Sequence, residues 1–159
     1  MDKTESTSTH FPRWEELPDI DLYMDQLIFF IQKHLKNLFL YDTELTPSMV
    51  NNYVKQKLLP APIKKRYSRE HIAALFVICN LKQVLSITEI KEIIDNCAYV
   101  TQEESYNSFC SEQEKALQNA ESAVQNKNDF LRSDAVLRMA VSASADKAIA
   151  LRILHTVTK

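Results

Sequence analysis

Not one of the 159 residues is glycine. Glycine enters left-handed backbone at no steric cost, and two-residue hairpins and helix C-termini ordinarily recruit it. A chain without it is poorly suited to a sheet built on tight turns, whereas helices need few of them. An all-α fold is therefore expected, with helix C-terminal caps made by Asn, Lys or other residues at some strain. The length suits one domain with a genuine core, or a small head with a helical extension. Hydrophobic residues at 45% and charged residues at 25% are those of an ordinary folded domain.

Residues 1–17 are rich in Ser, Thr and charge, with Phe11, Trp14 and Leu17 as the only large apolar anchors. They read as a mobile tail docked at its end. After Pro18-Asp19, the residues Ile20, Met24, Leu27, Ile28, Ile31, Leu35 and Leu38 recur at spacings of three and four, which predicts one buried helical face from about Ile20 to Asn37. Phe29 and Phe30 widen that stripe and call for a second neighbour: the C-terminal helices, another subunit or a ligand. Thr46-Pro47 is a helix start, since the hydroxyl satisfies an orphan amide and proline presets φ. That helix runs to about Lys57 and is closed by Pro60 and Pro62. An extended basic stretch, Lys64-Lys65-Arg66-Tyr67, leads to Ser68, which caps a helix with Ile72, Leu75, Phe76, Cys79 and Leu81 on its apolar face. Ser86-Ile87-Thr88-Glu89 is a capping box opening another helix to about Asn96. A polar break near 98–111 precedes helices at about 112–125 and 130–157, with a turn at Asn126-Lys127-Asn128-Asp129 between them. Their many small residues permit close helix contact, either over the first domain or between two chains.

Charge is segregated along the chain. Residues 47–91 carry eight basic and two acidic side chains, a net of +6, while residues 1–46 and 92–159 carry net charges of −5 and −3. Two readings fit: a polyanionic partner, or a solvated basic face balanced by acidic flanks.

From Pro47 onward the chain resembles the DNA-binding head of MerR-type regulators. The residues that carry the resemblance are Val50-Asn51-Asn52-Tyr53 in the helix, Leu58-Leu59-Pro60-Ala61-Pro62 at its end, Lys65-Arg66-Tyr67-Ser68 at the wing, and Ser86-Ile87-Thr88-Glu89-Ile90-Lys91 at the last helix. The whole chain, with its Leu17-Pro18-Asp19-Ile20 opening, resembles more closely an uncharacterised bacterial family of MerR-like proteins known as a domain of unknown function (DUF 1836). The resemblance implies a MerR-like winged helix-turn-helix head with a long N-terminal helix and a C-terminal helical hairpin. The expected organisation is a flexible tail at 1–17, the DNA-binding head at 18–98, and a hairpin for packing or dimerisation at 99–159. This chain departs from the MerR pattern in having Lys57 and Val84 where glycines are usual, and Asn51 and Lys65 where arginines are usual.

On that reading the helix at about 47–57 is a recognition helix. Its Ser48, Asn51, Asn52, Lys55 and Gln56 have the chemistry for base edges, since amides pair with adenine and lysine reaches guanine or a phosphate. Lys64, Lys65, Arg66 and Arg69 would hold phosphates or contact the minor groove. Tyr53 and Tyr67 read as core anchors, and His71 as a surface residue beside the wing. The expected activity is transcriptional regulation through duplex DNA. The alternative is a protein-interaction module that keeps the fold without DNA binding. A homodimer and a small-molecule effector seated between helix one and the C-terminal hairpin are further readings.

No enzyme is expected, because no paired carboxylates, activated nucleophile or metal cluster assembles from the sequence, and glycine-dependent phosphate and nucleophile motifs cannot occur. No cofactor or metal is implied. Cys79, Cys97 and Cys110 are widely spaced with no CxxC pair, so neither a zinc site nor a disulfide framework is suggested, and a reducing cytoplasm fits best. Cys97 and Cys110, flanking the polar break, are the redox candidates. The opening MDKTESTSTHF has no signal-peptide pattern and no apolar run is long enough for a bilayer, so neither secretion nor membrane insertion is expected.

Overall fold

A computed structural model describes residues 10–38, 44–96, 102–125 and 132–158. They form a short 3-10 helix, Trp14–Glu16, and six α-helices: α1 Met24–Leu38, α2 Pro47–Lys55, α3 Arg69–Leu81, α4 Ile87–Asn96, α5 Glu103–Gln125 and α6 Arg132–Val157. Among the described residues extended pairing is confined to two isolated antiparallel bridges, Leu22 with Tyr67 and Ile63 with Arg66. The fold is all-α, as the absence of glycine and the helical periodicity require.

The centre of the molecule is α3. Every residue from His71 to Asn80 is buried, although the spacing in the sequence suggests one apolar face. Ala73, Ala74, Val77 and Ile78 fill the other sides, and a helix apolar all round must be enclosed. Helix α1 packs on α3 and α2 through Leu27, Ile31 and Leu35, four residues apart and all fully buried. Each such side chain contributes roughly 1.5–3 kcal/mol of transfer free energy. Phe30 supplies the wider stripe by meeting the edge of Phe76, with ring centroids 6.2 Å apart, while Phe29 remains 71% exposed.

Several expected boundaries move, each for a visible reason. Helix α1 begins at Met24 rather than near Ile20, because Leu22 exchanges backbone hydrogen bonds with Tyr67 at 2.9 and 2.8 Å and must be extended to do so. The Gln26 side chain then accepts the Tyr23 N–H and closes the new start. Helix α5 begins at Glu103, inside the expected polar break, since Tyr106 and Cys110 turn inward and are fully buried. Residues 10–17, the end of the expected tail, are docked: Phe11 and Leu17 lie in the core. Arg13 pairs with Glu114 at 2.7 Å, the Phe11 N–H donates to the same carboxylate, and the Tyr106 hydroxyl donates to the Pro12 carbonyl at 2.8 Å. The core therefore continues across the expected boundary at 98/99, with α5 held to the N-terminal segment and to α3 through Asn80 and Gln113.

Helix α6 contacts α4 and buries Leu154. Its Val136, Leu137, Val141, Ile149, Ile153 and Val157 are exposed. The turn expected at Asn126–Asp129 and the residue Cys97 fall outside the described residues. Among the described residues no helix is long and apolar enough to cross a membrane.

Candidate functional site

Helix α2 is set by both of its ends. The Thr46 hydroxyl accepts the Met49 N–H at 3.3 Å and Pro47 occupies the first turn. At the other end the Leu58 N–H reaches the Tyr53 carbonyl at 2.9 Å and the Lys57 N–H reaches the Val54 carbonyl at 3.0 Å. This is a Schellman motif, and it places Lys57 at φ 59°. The position where glycine is usual in the MerR pattern thus has a left-handed backbone here and carries lysine. Val50 and Tyr53 anchor the inner face. Ser48, Asn51, Lys55 and Gln56 are exposed and Asn52 is half-buried. The five lie three and four residues apart, so the fold gathers them on one outward face. Gln56 donates to Asn52 at 3.1 Å, which ties two of the three amide groups together.

The chain then passes from Leu58-Leu59 through Pro60-Ala61-Pro62 into a tight hairpin. The sequence suggested an extended stretch there. Ile63 and Arg66 exchange backbone hydrogen bonds at 3.1 and 2.9 Å, and the two residues between them, Lys64 and Lys65, have φ values of 50° and 61°. Two successive positive φ angles are the mark of a type I′ turn, which favours Asn-Gly or Asp-Gly. Both lysines are exposed at its tip. No carboxylate of a described residue forms an ion pair with Lys55, Lys57, Lys64, Lys65 or Arg66. Of the other basic residues in this region, Lys91 is engaged by Asp95 on its own helix at 2.7 Å.

The base of the hairpin is clamped by the segment before α1, which the sequence did not suggest. Arg66 donates to the Tyr23 hydroxyl at 2.8 Å and lies 4.7 Å from the centroid of that ring. Arg69, half-buried, donates to the Pro18 carbonyl at 3.3 Å and sits 5.9 Å from the Trp14 ring centroid. Two of the four expected phosphate ligands are thus also structural ties, whereas Lys64 and Lys65 project freely. The signal for this clamp is the alternation at Asp21, Leu22 and Tyr23, which are exposed, buried and exposed, a period of two inside what otherwise scans as helix.

Tyr53 and Tyr67 are buried, as expected of anchors. His71 is not a surface residue: it is 5% exposed, its Nδ1 accepts the Ser68 N–H at 3.0 Å, and its ring stands edge-on to Tyr67. Cys110 is corrected as a redox candidate, because its side chain is fully buried beside the Pro12 carbonyl and burial pushes the thiol up, away from reactive thiolate. Among the described residues no group of three or more His, Cys, Asp or Glu side chains is arranged to hold a metal ion. The trough beside Phe29 and Phe30 is lined by Pro18, Leu22, Asp25 and Gln26, and so belongs to the N-terminal segment and α1 rather than to the C-terminal helices.

Neither the curated proteins nor the solved structures yield a match to this chain. The model of one protein family, described as a domain of unknown function (DUF1836), matches residues 12–120, from the N-terminal strap through most of α5. The chain belongs to that family.

Proposed function

We propose that the protein is a DNA-binding transcriptional regulator of the MerR-like winged helix-turn-helix kind. In this reading α2 enters the major groove and the Lys64-Lys65 hairpin acts as the wing. The observation that carries it is the hairpin tip. Left-handed backbone costs a non-glycine residue roughly 1–2 kcal/mol, and the tip holds two adjacent lysines there with no acidic partner among the described residues. A turn that only reversed the chain would be better served by Asn-Gly. Strain retained together with charge points to a use for the charge.

The chemistry follows the surface. Asn51, Asn52 and Gln56 pair with adenine edges, Lys55 reaches guanine or a phosphate, and Ser48 sits near the entering end of the helix. Lys64 and Lys65 neutralise phosphates, while Arg66 and Arg69 hold the wing in register from the side of Tyr23 and Trp14. Residues 18–98 form the contacting head. The exposed apolar side chains of α6 support pairing of two chains through the C-terminal region. Binding, not catalysis, is the activity proposed, in the cytoplasm.

The test is binding to duplex DNA as a function of salt. Affinity should fall steeply as salt rises, and Lys64, Lys65 and Arg66 changed together to Ala should weaken it. Absence of any duplex binding at low salt would sink the proposal. A protein-interaction module is the second reading, favoured by the engagement of Arg66 and Arg69 within the molecule. It predicts a partner pull-down that survives the same triple substitution.

A further inference from the structure

Behind α2, on the side away from Lys55 and Gln56, lies a cavity of about 230 Å³ walled by Leu35, Leu45, Met49, Tyr53 and Cys79, with Lys82 at its edge. An apolar cavity of about 150 Å³ is enough to take a benzene-sized ligand. This one is not wholly apolar. The Tyr53 ring is 1% exposed, and among the described residues its hydroxyl has no hydrogen-bond partner within 3.5 Å, although the Lys82 ammonium acts on it from farther off. A buried hydroxyl without a partner costs free energy that native structures seldom leave unrecovered. The Lys82 ammonium lies 5.5 Å from the centroid of the same ring, so an unsatisfied donor and a cation converge on one wall of an otherwise oily space.

We infer that this cavity is a binding site for a small carboxylic acid with a compact apolar body, its carboxylate received by the Tyr53 hydroxyl and the Lys82 ammonium. The apolar walls from α1, α2 and α3 take the ring or branched chain of the ligand. Burial holds the Tyr53 hydroxyl above its ordinary range, so it stays protonated and able to donate. Burial also pushes the Cys79 thiol up to about 12, which leaves it a neutral wall. Gln83 turns its amide to the Cys79 carbonyl at 3.5 Å. Among the described residues Glu44 is the acidic residue at the cavity, and it is exposed, where water screens it. Donors therefore outnumber acceptors at the buried wall, which favours an anionic or acceptor group over an amine. The inference stands on the cavity alone and does not rest on nucleic-acid binding.

The experiment titrates the full chain with benzoate, benzyl alcohol and benzylamine, followed by calorimetry and by NMR shifts. Benzoate should bind in the millimolar range or tighter, benzyl alcohol at least tenfold more weakly, and benzylamine not at all. Lys82→Met should weaken benzoate at least tenfold and leave benzyl alcohol unchanged. Tyr53→Phe should weaken both while leaving the unliganded protein as stable as the parent or more so, since it removes the orphan hydroxyl. That combination distinguishes a ligand contact from a structural one. Binding of none of the three probes, equal binding of benzoate and benzylamine, or benzoate affinity indifferent to Lys82→Met would each overturn the inference.

Discussion

The double substitution Lys64→Asn with Lys65→Gly separates two roles of the hairpin tip. In the parent both residues hold positive φ, at roughly 1–2 kcal/mol each for a residue with a Cβ. Glycine at position 65 removes that term but returns about 0.5–1 kcal/mol through its freer unfolded chain. Asparagine at 64 tolerates the left-handed region and recovers a fraction of the rest. The net gain should be about 1 kcal/mol, or roughly 2–4 °C in Tm for a chain of this size. Thermal and urea unfolding measure it. The same variant loses two cations from the proposed wing, so the slope of log affinity against log salt should fall by about 1.8 in magnitude if both contact phosphate. Lys64→Arg with Lys65→Arg is the control, keeping the charge and the strain. A loss of stability in the Asn-Gly variant would refute the left-handed turn. A gain in stability with unchanged DNA affinity and salt slope would show that the lysines serve nothing the proposed function needs.

Lys57→Gly should stabilise the chain by up to about 1 kcal/mol in urea unfolding, because the Schellman position at the end of α2 has φ 59°. Tyr106→Phe should cost about 1–3 kcal/mol, since the buried Pro12 carbonyl loses its hydroxyl donor and the N-terminal strap loosens from α5. Chiefly through the Ser86 N–H that it accepts, the Glu89 carboxyl is held below its ordinary value of 4.5. Its capping contribution is therefore present above that value and lost as pH falls through the depressed one, so acid should destabilise the parent more than Glu89→Gln in a comparison of unfolding midpoints. Cys79 and Cys110, both buried, should resist a thiol reagent in the native state and react on unfolding.

Much of the helical framework was legible in the sequence because its signals are local. Thr46-Pro47 and the Ser86-to-Glu89 capping box each act within one turn, and the structure places a helix start at both. The i, i+4 repeat of Leu27, Ile31 and Leu35 likewise specifies a buried face whatever covers it. The outward polar face of α2 follows from the same arithmetic, since Val50 and Tyr53 must turn inward. What lay beyond reach were contacts between residues far apart in the chain. Nothing local distinguishes Leu22 in a helix from Leu22 paired to Tyr67, and nothing near Phe11 shows that Glu114 accepts its N–H.

The missing glycine shows where the division falls. Composition and helical periodicity together determined that the chain would be helical, and composition alone that any left-handed residue would carry a side chain. Which residues would bear that strain was settled by the tertiary structure. Leu58 and Leu59 must both reach the core, which bends the end of α2 through Lys57, and Tyr67 must meet Leu22, which fixes the register of the hairpin and leaves Lys64 and Lys65 at its tip. The cavity beside Tyr53 has the same origin, because a void is a property of how three helices fit and no single segment encodes it.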